Sequence, residues 1–186
     1  MKITNKIIIK DDNPLIKERS LNVPLPLSIE DQELMDAMIK YVEDSTDEEI
    51  AEKEDLLPAV GISAIQVGEK KKMLAIVLRD ENDEIEVELA LVNPVILSSS
   101  IEEVYLGSGE GCLSVPKHHE GYVYRSRRIK VRAYDALKKE EVVFRAHDYL
   151  AIVLQHEIDH MSGILYYDHI NKKDPFIKKE NAYCLE

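Results

Sequence analysis

Residues 148–161 read DYLAIVLQHEIDHM, and they set two histidines and a glutamate into a stretch that is otherwise apolar on nearly every side. Tyr149, Leu150, Ala151, Ile152, Val153, Leu154, Ile158 and Met161 leave little room for a solvated face, so a helix formed here is buried. Buried polar groups must be paired. His156 and His160 are four apart and leave one helix face together, where a single metal ion satisfies both. Glu157 lies beside them, placed to act as general base on a water. In a chain of this composition H-E-x-x-H arises by chance about once in fifty sequences, so its surroundings carry the argument. The bland alternative keeps both histidines as core residues bonded to backbone.

Two histidines leave a metal site short of a third protein ligand. An extended protease motif would place another His where this chain has Tyr166, and the first Glu after the helix is Glu180, near the end of the chain. The strongest candidate lies upstream at Cys112, directly after the Gly-rich run Gly107–Gly111. Such a run lets the backbone turn sharply and point a thiolate inward. A small buried hydrophobe is the alternative for Cys112. Cys184, near the terminus, reads as structural or incidental.

The 186 residues, 45% hydrophobic and 32% charged, suit one domain over 1–186 with a sizeable core. A net charge of −12 argues against direct nucleic-acid binding, which needs clustered Lys and Arg. No apolar run approaches bilayer-spanning length, and MKITNKIIIKDDNPL lacks the features of a signal or transit peptide. The expectation is a cytoplasmic protein with no membrane partner and no disulfide between Cys112 and Cys184.

Along the chain, a stretch rich in turns runs to about Pro26, and a packing helix starts at the N-cap Ser28 with Leu34, Met35, Met38, Ile39 and Val42 as its core stripe. An acidic insertion follows at about 45–57, read as an exposed loop or short helix ahead of Pro58. Residues 73–78, 85–92, 129–135 and 141–147 read as strands, with a turn at Glu81-Asn82-Asp83. The helix from Asp148 ends near Met161, with Gly163 as its cap. The block of strands with helices outside it predicts an α+β fold, with antiparallel or mixed β-sheets packed around a buried, metal-binding C-terminal helix.

Three motifs in order now resemble the peptide deformylase family: Ala59–Gln66 (AVGISAIQ), Glu110–Ser114 (EGCLS) and Gln155–His160 (QHEIDH). Asp12–Leu15, Leu91–Pro94 and Tyr124-Arg125 also fit, and the resemblance covers about residues 10–170. The length and the acidic insertion look like the longer, Gram-positive type. The family pattern usually opens its first motif with Gly where Ala59 stands, has Ala at Ser63, Pro or Thr at Ile65, and Pro at Tyr124. The departures in the first motif are expected beside the substrate cleft, where they bear on fine specificity.

The resemblance implies removal of the N-formyl group from formylmethionyl nascent peptides, with release of formate. It implies one divalent metal per chain, Fe²⁺ by expectation, with Ni²⁺, Co²⁺ or Zn²⁺ as substitutes. Cys112, His156 and His160 are then the ligands, and Glu157 moves the proton. The Gln66 side-chain amide and the Leu113 backbone N–H are expected to face the developing oxyanion. Glu110 and Arg125 form a pair bracing the Cys112 loop. The peptide lies extended along Val60-Gly61, with its methionine lined by Tyr149, Ile152 and Val153. The ribosome is a candidate contact. Two rivals stay open: a zinc peptidase on the same H-E-x-x-H, disfavoured by a Cys ligand, and a metal-binding protein without catalysis, which would want a fourth protein ligand.

Overall fold

The computed structural model describes residues 2–186. Its order is α1 (Ile29–Thr46), α2 (Glu48–Glu54), β1 (Gly61–Ser63), β2 (Met73–Arg79), β3 (Ile85–Ser99), β4 (Glu103–Leu106), β5 (Arg125–Ser126), β6 (Arg128–Asp135), β7 (Glu140–His147), α3 (Asp148–His160) and β8 (Ala182–Leu185). Strands β1-β2-β3-β6-β7 form an antiparallel sheet. A second sheet, β5-β4-β8, is mixed, because β8 runs parallel to β4. The α+β expectation therefore holds.

β2 explains how the layers are held. Successive strand side chains point to opposite faces. Met73, Ala75 and Val77 join a cluster with Met35 and Met38 of α1. Leu74, Ile76 and Leu78 join one with Ala151, Val153 and Leu154 of α3. The unbroken apolar run MLAIVL thus follows from burial on both faces, with one helix on each side of the sheet.

α1 begins where its cap requires: the Ser28 side chain accepts the Asp31 N–H. The acidic insertion is helical at α2, capped by Asp47, and α2 itself has no buried side chain. The turn between β2 and β3 is tied by Asp80, whose Oδ1 accepts the N–H groups of Asn82 and Glu84 at 2.9 Å each. β3 runs well past residue 92. Asn93 takes φ +52 in a bulge, and its side chain bonds Val23 N and O at 2.8 Å each, so the Asn-Pro pair bends the strand without ending it. After α3, Gly163 adopts φ +73, as the cap expectation required.

Candidate active site

α3 uses its four-residue spacing twice. Gln155 and Asp159 turn toward β5: Gln155 donates to Ser126 O at 2.9 Å and accepts from Ser126 N at 3.0 Å, while Asp159 Oδ2 takes Arg125 Nη1 at 2.8 Å. Those contacts dock the helix on β5. His156 and His160 turn toward Cys112, with His160 Nε2 at 3.3 Å from its Sγ.

Arg125 then organises the inner wall. Its Nε and Nη2 grip Glu110 at 2.6 and 3.0 Å in a two-pronged ion pair, both side chains nearly inaccessible. Glu110 Oε2 lies 2.7 Å from His156 Nδ1. A proton held on Nδ1 by that carboxylate leaves Nε2 as the lone pair on the Cys112 side. Among the described residues, Cys112, His156 and His160 make up the group that could hold a metal, with one ligand atom from each and all three within 4.8 Å of one another.

The electrostatics fit a cation. Burial pushes the His156 imidazolium down, yet Cys112, Glu110 and Glu157 outweigh it and hold its pKa up to about 10. Burial, then the charges of His156 and Arg125, push His160 well below its ordinary range, so it is neutral. Burial likewise raises Glu110, but His156 and Arg125 bring it down to about 2. The pocket therefore gathers negative charge around two imidazoles, and a divalent cation answers that demand better than a proton on one ring. Three protein donors of sulfur and nitrogen beside an open cleft match a catalytic metal site better than a closed structural one.

Glu157 is buried, and burial raises its carboxyl above the usual range. A general acid–base group works best with its pKa moved toward the operating pH. Gln66 sits in the tight turn Ala64–Val67, with its Oε1 accepting the Ser63 N–H at 2.9 Å. That bond fixes which way the amide faces, so its Nε2 lies 3.2 Å from Ser114 Oγ and 3.6 Å from Cys112 Sγ.

A cavity of about 460 Å³ brings Val60, Gly61, Gln66, Glu110, Cys112, Leu113, Tyr149, Ile152, Val153, His156 and Glu157 together. The residues expected to bind substrate, Val60, Gly61, Tyr149, Ile152 and Val153, all line it. Arg125 lies behind Glu110, and His160 lies behind the lining. Among the described residues β1 pairs with β2 alone and forms one edge of its sheet.

The first-motif departures fall differently from expectation. Ala59 lines the cavity. Ile65, in the tight turn after β1, is fully buried with Ile16 and Tyr166 in a separate cluster, and Ser63, the last residue of β1, is fully buried against Glu157. Sequence reasoning also gave no part to Gln155, Asp159, Ser114 or His169, whose Nε2 reaches Asp159 Oδ2 at 2.7 Å. The spacing argument that found 156 and 160 applies equally to 155 and 159. His169 left no such signal. Tyr166, in the place of a third His, lies with its ring parallel to that of His156 at 6.3 Å between centroids.

A family model described as polypeptide deformylase matches residues 5–176. The peptide deformylase of Macrococcus caseolyticus (strain JCSC5402) is 46% identical over 184 residues, covering 99% of this chain and all of the relative. Peptide deformylase 2 of Bacillus subtilis (strain 168) is 42% identical, covering 99% of each. The crystal structure of peptide deformylase from Ehrlichia chaffeensis superposes with TM-score 0.71 at 28% identity, over 93% of this chain and 90% of that one. The K1U-bound class I type b enzyme from Acinetobacter baumannii gives 0.69 at 28% identity, over 90% and 99%.

Proposed function

The chain belongs to the peptide deformylase family, and from that premise we propose how its own residues remove the N-formyl group from newly made peptides. It is a hydrolase acting on that formyl amide. The observation that carries the site reading is the convergence of Cys112, His156 and His160 in one cleft with Glu157 and Gln66.

Cys112, His156 and His160 would hold one divalent ion, with Glu110 fixing the ring of His156. Bound there, the ion would supply Lewis acidity to the reaction. Glu157 takes the proton from the attacking water and hands it to the leaving amine. As charge develops on the formyl oxygen, the Gln66 amide and the Leu113 N–H donate to it, and loss of one such donor typically slows turnover about 100- to 1,000-fold. The peptide lies extended along the edge of β1 at Val60-Gly61, and its methionine side chain enters between Tyr149, Ile152 and Val153.

Fe²⁺ is the natural ion in this reading, with Ni²⁺ or Co²⁺ as active substitutes. The whole chain, 1–186, acts as one catalytic domain in the cytoplasm, on nascent chains at the ribosome. The peptidase reading is weaker because peptidases built on H-E-x-x-H generally complete the site with His, Glu or Asp, whereas the third donor here is Cys112. The deciding experiment gives the metal-loaded protein formyl-Met-Ala-Ser and follows products by mass spectrometry. Formate and Met-Ala-Ser are expected; cleavage of an internal peptide bond with the formyl group retained would overturn the reading.

A further inference from the structure

Ser63 stands where the family pattern carries Ala, and it is completely buried. Its Oγ lies 2.8 Å from Glu157 Oε2 and 2.8 Å from the backbone carbonyl of Glu157. Its backbone N–H holds the Gln66 amide at 2.9 Å. The other carboxylate oxygen of Glu157 lies where a Cβ on Gly61, two residues earlier on the same face of β1, would come within 2.8 Å of it. One oxygen of Glu157 is therefore held by Ser63, while the other sits over the space that Gly61 leaves open on the same short strand.

We propose that Ser63 is a positioning residue for the reaction, its hydroxyl holding the Glu157 carboxylate in the orientation from which it accepts and returns the proton. This rests on the role given above to Glu157. The hydroxyl has one proton and two acceptors in reach. While Glu157 is a carboxylate, Ser63 donates to Oε2. Once Glu157 has taken the proton from water on Oε1, Ser63 still donates to Oε2, so the proton stays on the oxygen left free to return it to the amine. Ser63 keeps its own proton throughout, and neither half of the cycle leaves the hydroxyl or the carboxyl of this buried contact unpaired. An Ala here leaves Oε2 without that partner and the carboxyl freer to swing. A misplacement of even 1 Å at a reacting group can cost about 100-fold, so a partial loosening is felt in turnover.

The test compares wild type with Ser63→Ala and Ser63→Thr, each loaded with the same metal. The alanine variant removes one atom and matches the family pattern, so it is expected to fold. The expected result for Ser63→Ala is a fall in kcat of about 10-fold with KM within about two-fold of wild type, consistent with lost transition-state interaction. Metal affinity, measured by chelator competition, stays unchanged. Ser63→Thr, which keeps the hydroxyl, turns over faster than Ser63→Ala. A crystal structure of Ser63→Ala shows the Glu157 carboxyl in more than one orientation. An unchanged kcat, a fall shared equally with metal affinity, or a carboxyl held in a single orientation without the hydroxyl would each overturn the proposal. Wild-type protein that releases no formate would instead count against the functional reading, and the carboxyl orientation in Ser63→Ala would still decide whether Ser63 holds it.

Discussion

A Cβ placed on Gly61 would lie 2.8 Å from Glu157 Oε1 and 3.1 Å from its Cδ and Cγ, so the edge strand and the metal-site helix meet at a point that admits no side chain. Gly61→Ala should therefore displace the proton carrier while leaving Cys112, His156 and His160 in place. The expected outcome is a drop in kcat of about 100-fold with metal content retained, since small displacements near the chemistry cost on that order. Kinetics and metal analysis on the same preparation check it.

The two cysteines should separate cleanly. Cys112→Ala should lose metal as well as activity, because one of three ligand atoms is gone. Cys184 is exposed on β8, and Cys184→Ala should change neither. Metal-to-protein ratios after gel filtration decide this, and full metal content in the Cys112 variant would mean a misassigned ligand.

Glu110→Gln should weaken metal binding by about 10- to 100-fold without unfolding the chain, the usual consequence of losing a carboxylate behind a ligating histidine. The ring of His156 loses its charged partner, while Arg125 keeps Asp159 at 2.8 Å. Chelator competition measures the affinity, and circular dichroism checks the fold. Unchanged affinity would show that Glu110 does not tune His156.

Much of this was legible in the sequence because the informative residues repeat at the period of their element. His156 and His160 declare a helix face, and MLAIVL declares a buried strand. β1, β4, β5 and β8 have two to four residues each, too few to show alternation, and they exist because neighbouring strands offer partners. The bond from Ser63 to Glu157 spans 94 positions and leaves no local pattern. The mixed sheet likewise depends on β8 returning beside β4. Such long-range pairings are set by tertiary packing and do not register as periodicity.

The proposed deformylase reading, rather than the ligand set, predicts how the metal behaves. Affinity order alone favours Zn²⁺ over Fe²⁺ at a Cys/His site, so binding strength does not identify the working ion. Apo-protein loaded with Fe²⁺ should be active under argon and lose activity quickly in air, as oxygen attacks the iron and the Cys112 thiolate. The Ni²⁺ form should stay active, and the Zn²⁺ form should be poor. Formate release in parallel under air and argon tests this; full Zn²⁺ activity with an air-indifferent iron form would contradict it.

The most direct test of the site is Glu157→Gln, assayed for metal content and formate release in one preparation. The ligand atoms remain and the proton carrier is gone, so the metal-to-protein ratio should match wild type. Turnover of formyl-Met-Ala-Ser should fall by about 100- to 10,000-fold, the usual worth of a general acid–base group. Near-wild-type turnover with metal bound would contradict the account, because the reaction would then proceed without the residue to which its proton transfer is assigned.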